Sequence, residues 1–286
     1  MGVGGLLFRD ARRWRSLRHL GTFFALIHAN QKANGFLPYF CPATETLYIE
    51  TMMQNRSYNT MQMPPVTQNL ILINALCWLA SLVLPRFGIN LIELGGLHFP
   101  GTNSFHWFQP LTYMFLHDTR SIGHLFFNMF AVFMFGRVLE ATWGPRRFLV
   151  FYLVTGVGAA LVQELTWLYT IRDYAAQNNF SIMQQVALDP GVSMLVTIGA
   201  SGAVFGVLLA FGMLFPDAPL YVMFVPIPIK AKYFVVIYGL IELFMGVANF
   251  TNDNVAHFAH LGGMLFGLIL ILYWRKKDRG DERISY

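Results

Sequence analysis

The chain divides near residue 66 into a polar stretch and a series of apolar blocks. Six apolar segments follow one another at about 70–84, 124–142, 148–169, 195–215, 233–248 and 255–274. A hydrocarbon layer takes about 20 residues per helix, so the pattern predicts a helical, multi-pass membrane protein. The connection over 85–118 is too long and too rich in Trp, Phe, His and Pro for a simple tether and is expected to lie partly in the membrane interface. Residues 170–194 form a second long, polar loop with structure of its own, and "ANFTNDN" makes a short link before the last segment. No internal repeat is apparent.

Up to about residue 66 there is no sustained helical or strand period, and this part reads as a tail. Arg9 to Arg18 followed by Leu20 to Ala29 imitates a signal or transit peptide, but the apolar part is short and "HANQKANG" offers no A-x-A cleavage site. Met52 and Met53 stand just ahead of the membrane-like sequence, so the first fifty or so residues also fit a start set too far upstream. The expected organisation is a tail over 1–66, a membrane domain over 67–279 and a second tail over 280–286.

Composition agrees with this pattern. Hydrophobic residues make up 55% of the chain and charged residues 12%, with a mean hydropathy of +0.48, against roughly 45–50% and about 25% in soluble domains. The net charge of +5 does not point to nucleic acid, because the basic residues sit beside apolar blocks and not on an aromatic-interleaved surface. They read as topology signals. With the N-terminus in the cytoplasm, all of the twenty Lys and Arg except Arg86, Arg120 and Arg172 fall on the cytoplasmic side, and the bias persists without the first 66 residues. Both termini are expected to be cytoplasmic. Cys41 and Cys77 lie far apart without metal-ligand spacing, so neither a disulfide framework nor a zinc site is indicated.

The fourth segment contains Gly199-Ala200-Ser201-Gly202, a tetrapeptide that alone fits helix packing as well as chemistry. The sixth carries two histidines, His257 and His260, in an apolar helix directly after an outer link, and the second carries His124 and Asn128, four apart on one helix face. Either of the latter could be a satisfied interhelical hydrogen bond. Segments two, four and six, however, all begin on the outer side, so five polar groups converge near one membrane face, and ionisable residues at membrane depth are functional candidates by default.

These pieces resemble the rhomboid family of intramembrane serine proteases. The resemblance rests on "HDTRSIGHLFFNMF", "GRVLEATWG", "GASGAVFG" and "AHFAHLGGMLFG", in order and on matching sides over about 210 residues. It implies an all-α, six-transmembrane-helix bundle of the bacterial type in the bacterial inner membrane, with a serine on a short helix in a water-filled cavity. Ser201 would be the nucleophile, His260 the general base and then acid, and His124 and Asn128 the oxyanion-binding pair. Phe205 would pack against the imidazole. His260 is preferred over His257 because it precedes Gly263 and Gly267, a small-residue stripe that permits close helix approach. No third carboxylate is implied; Asp253, seven residues before His260, belongs to the outer link, and Glu140, Glu164 and Glu242 are expected to make interhelical hydrogen bonds and to take no part in catalysis.

The activity so implied is cleavage of transmembrane segments of membrane-protein substrates near their outer end, without cofactor or metal. Partners are membrane substrates and the lipid bilayer, not nucleic acid. Other membrane proteases are disfavoured: the chain has no H-E-x-x-H and no pair of intramembrane aspartates. A rhomboid-like protein that binds transmembrane clients without catalysis is countered by the presence of both Ser201 and His260. A transporter is countered by the clustering of the polar groups near one face instead of the midplane.

Overall fold

Helix α1 (Pro65–Val83) begins at a proline, whose fixed φ suits the first helical position and whose missing N–H would have no partner there. The donors that follow are met from another helix. Glu140, buried near the end of α2 (Ile122–Trp143), accepts from Val66 N at 2.9 Å, Thr67 N at 2.7 Å and Thr67 Oγ1 at 2.8 Å. One carboxylate thus caps α1 and ties it to α2. In this computed structural model residues 63–221, 228–248 and 256–284 are described, with side chains as far as 278. Most of the tail over 1–66 and the last two residues, together with Cys41 and Asp253, lie outside them.

The remaining principal helices are α3 (Pro145–Gln177), α4 (Ser201–Leu214), α5 (Ala231–Ala248) and α6 (His257–Ile284). The result is an all-α membrane bundle with two small two-stranded ribbons. Among the described residues five helices are long and apolar enough to cross a membrane. The exception is α4, whose 14 residues reach about 21 Å, short of the ~30 Å hydrocarbon layer. Bulky apolar side chains such as Leu76, Phe127, Leu165, Leu240 and Ile269 stand exposed around the bundle, as a lipid-facing surface requires.

Four predicted boundaries move by five residues or more: α1 begins at Pro65 where the segment was expected from 70, α6 runs to Ile284 where it was expected to end near 274, and two others lie closer to the site. The third segment was expected to end near 169, but α3 runs on to Gln177, because hydropathy marks only the lipid-buried part of a helix and no breaker intervenes before Asn178 and the left-handed Asn179, φ 58°. The connection that follows forms two short helices, Ile182–Leu188 and Pro190–Ser193. The fourth segment was expected from 195, yet its first six residues are not helical. Within them β2 (Val196–Thr197) pairs antiparallel with β1 (Leu97–His98) of the first long loop. β-branched residues favour this, and Gly199 at φ +126° interrupts any helix before Ser201.

The 85–118 connection is built. It contains the short helices Leu91–Gly95 and Gln109–Thr112, and buried Gln109 holds its turns by donating to the Leu94 and Ser104 carbonyls at 3.1 and 2.7 Å. Exposed Phe87 and Trp107 give it an apolar rim.

At the centre, α4 is enclosed by α3, α5, α6 and the middle of α2. The α4–α6 contact is a glycine seam: a Cβ on Gly263 would overlap the Gly202 carbonyl, and one on Gly206 would stand 3.0 Å from the Gly263 carbonyl oxygen. Here the small-residue stripe does what its spacing suggested.

Candidate active site

Ser201 is the first residue of α4, and three local facts place it there. Tyr113 of the first loop accepts the Gly199 N–H at 3.0 Å, and its own hydroxyl is anchored to the Gly156 carbonyl of α3 at 2.7 Å. Gly199 must be glycine on two counts, its positive φ and a Cβ position only 2.8 Å from His124 Nε2. The first α-helical hydrogen bond of α4 runs from Val204 N to Ala200 O, leaving the N–H groups of Ser201, Gly202 and Ala203 without intrahelical acceptors. Negative charge is favoured at such a helix start.

His260 sits in the first turn of α6, brought against α4 by the glycine seam. Its Nε2 is 2.8 Å from Ser201 Oγ. The Phe205 ring lies parallel to the imidazole, 4.3 Å between centroids and 7° from coplanar, where the resemblance placed an aromatic. On the far side of the ring, Nδ1 is 2.8 Å from Oε2 of Glu242, and the same oxygen is 2.6 Å from His257 Nδ1. Glu242 and His260 are 5% and 7% exposed, so the contact is shielded from solvent, whereas Ser201 and His124 are half-buried. The site therefore opens on the serine side.

His124 lies near the start of α2. Its Nδ1 accepts the backbone N–H of Asp118 at 3.3 Å, which leaves the proton on Nε2 as a donor. The Cβ position of Gly199 lies 2.8 Å from that Nε2 and 3.7 Å from Ser201 Oγ, so the two groups flank one small space. Asn128 is buried one turn on and donates from Nδ2 to the His124 carbonyl at 2.9 Å; among the described residues no hydrogen bond joins it to Ser201. The starts of α2, α4 and α6 thus meet. At the opposite end Arg147 bridges to Asp278 at 2.7 Å, Trp143 packs on Trp274, and Arg275 reaches the Met213 carbonyl.

Of the three membrane carboxylates, Glu140 and Glu242 make the expected interhelical bonds. Glu164 does not: both of its oxygens are buried without a hydrogen-bond partner among the described residues. The placement of Glu242 was not foreseen. A signal for it existed, since Glu242 precedes the end of α5 by less than two turns and His260 follows the start of α6 by less than one, so a short link sets them at similar depth. His117, buried edge-on to His124 at 5.0 Å, was also passed over; burial and then its neighbour His124 push its pKa down to about 3, so it stays neutral.

The Rhomboid domain matches residues 104–277, more than half of the chain. Rhomboid protease AarA of Providencia stuartii is 28% identical over 223 residues, 73% of this chain and 72% of that protein. The chloroplastic Rhomboid-like protein 11 of Arabidopsis thaliana is 30% identical over 210 residues, 71% of this chain and 62% of that protein. The putative rhomboid protease YdcA of Bacillus subtilis (strain 168) is 27% identical over 223 residues, 75% and 92% of the two chains. Together with the apolar helices, these matches place the chain in the rhomboid family of integral, multi-pass membrane proteins.

Proposed function

We propose that the protein is an intramembrane serine endopeptidase that cuts transmembrane segments of other membrane proteins near their outer end. The observation that carries this reading is the 2.8 Å contact from Ser201 Oγ to His260 Nε2 beside a helix start. His260 removes the Ser201 proton as Oγ attacks a peptide carbonyl, and the imidazolium returns that proton to the leaving amine. The carbonyl oxygen, now negative, is received in the space between Ser201 and His124, with the Ser201 N–H and the His124 Nε2–H as donors and Asn128 beside them. Water entering through the half-buried serine side then resolves the acyl-enzyme. A helical substrate hides its carbonyls in internal hydrogen bonds, so segments whose outer end unwinds readily, through Gly, Pro or small polar residues, are cut fastest. The site faces away from the cytoplasm and both termini face into it, on the positive-inside bias of the loops.

The test is cleavage in proteoliposomes of a single-span substrate with a Gly-containing outer end, the cut mapped by mass spectrometry. Cutting within the outer part of the span by the wild type and none by Ser201→Ala is the expected result. Equal cutting by both would refute the reading, and binding of the substrate without any cutting would favour a client-binding role.

A further inference from the structure

Helix α5 is apolar and largely exposed, yet it carries one buried carboxylate. An ionised group at membrane depth is expensive to maintain and calls for a partner. The nearest cations along α5 do not serve: Lys230 and Lys232 lie at its other end, both bound to Asp217 at 3.1 and 3.0 Å. What faces Glu242 is two imidazoles of α6, each through Nδ1 and both on the same oxygen.

We infer that Glu242 is a positioning residue for His260, making the site a Ser201–His260–Glu242 relay in which His257 steadies the carboxylate. The inference rests on the proposed hydrolytic role of Ser201. A carboxylate only accepts, so the 2.8 Å contact puts the proton of His260 on Nδ1 and leaves the Nε2 lone pair facing Ser201 Oγ. When Nε2 takes the serine proton, the imidazolium forms against a negative charge already in place, on the side of the ring that is shielded from solvent. Glu242 takes up no proton; it fixes the tautomer and the ring plane, while Phe205 fixes the face. The second donor, His257, leaves the shared oxygen little freedom to swing away.

A metal ion held by Glu242, His257 and His260 is the rival explanation, since their ligand atoms lie within 4.8 Å of one another. The two separations, 2.6 and 2.8 Å, decide against it. Ligands at ~2.0–2.1 Å around a tetrahedral zinc stand roughly 3.3 Å apart, whereas a shared proton draws the heavy atoms to the shorter distance.

The groups that face the pair, and so enter any pH profile, are His257 on α6, Tyr238 on α5 and His124 on α2. Full-length wild type, Glu242→Gln, Glu242→Asp and Ser201→Ala are compared for kcat, KM, the pH dependence of kcat/KM and unfolding temperature. Glu242→Gln lowers kcat about 10²–10⁴-fold with KM nearly unchanged. The acid limb of its profile moves to lower pH, because no charge now favours the imidazolium. Glu242→Asp recovers part of the rate and the wild-type limb. A Glu242→Gln enzyme with wild-type kcat and profile overturns the inference while a dead Ser201→Ala leaves the proposed function standing. So does a fall in kcat that tracks lost thermal stability with an unmoved acid limb, which marks a merely structural carboxylate. An active Ser201→Ala removes the proposed function, and this inference with it.

Discussion

Helices α4 and α5 follow one another in the chain, are both predominantly apolar, and live in opposite surroundings. Ten of the fourteen residues of α4 are buried within the bundle, whereas α5 buries Ala231, Val235 and Glu242 and turns most other side chains outward. Hydropathy does not separate them, because lipid and protein interior are both apolar. The size of the side chains does: α4 carries Gly202, Ala203, Gly206, Ala210 and Gly212 where neighbours press in, and α5 carries Val236, Ile237, Leu240 and Ile241 where acyl chains do. The proposed chemistry is divided accordingly, with the nucleophile on the enclosed helix and the carboxylate behind its base on the exposed one.

The largest effect should come from the enclosed side. Ser201→Ala and His260→Ala are each expected to lower kcat by about 10⁶, and the double variant no further, since the two act as one unit. Unfolding temperatures should stay at the wild-type value. His257→Ala should retain most of its activity, losing only what a steadied Glu242 contributes, and the reverse pattern for the two histidines would mean that the base is His257.

Next comes the α2 contribution. Asn128→Ala should reduce kcat by about 10²–10³, toward the lower figure because other donors remain, while labelling of Ser201 persists at a reduced rate. Full activity would remove Asn128 from the site. Loss of activity together with a much lower melting point would mark it as a structural residue whose bond to the His124 carbonyl holds the turn.

The packing contrast itself is tested by two alanines. Gly263→Ala forces a methyl against the Gly202 carbonyl and should destabilise by about 1–3 kcal/mol, toward the upper end because the obstacle is backbone. Leu240→Ala, at a side chain 60% exposed, should change stability by no more than about 0.5 kcal/mol. Equal effects at the two sites, read by reversible unfolding in one detergent, would break the comparison.

The same contrast explains what was legible in the sequence. The bounds of α2 and α5 were read to within two residues because in both the helix and the predominantly apolar run end at nearly the same places. Hydropathy failed at the end of α3 and the start of α4, where helix and lipid burial part company: the polar turn to Gln177 is still helical, and the apolar 195–200 stretch is not. His124, Asn128, Ser201 and His260 were legible because polar residues in apolar runs stand out and alternating topology brings their ends together. Glu242 stood out equally, but its role depends on a distance between two helices, which periodicity within either one does not carry. Asn128 was recognised, while its hydrogen bond to the His124 carbonyl depends on a rotamer.

The central claim is that Ser201 is an activated nucleophile, and it is tested most directly by reacting the purified protein with a fluorophosphonate probe and mapping the adduct by peptide mass spectrometry. The account predicts one adduct per chain on Ser201, absent from Ser201→Ala and formed far more slowly in His260→Ala. An unlabelled Ser201 in folded wild-type protein that takes the probe elsewhere would contradict it.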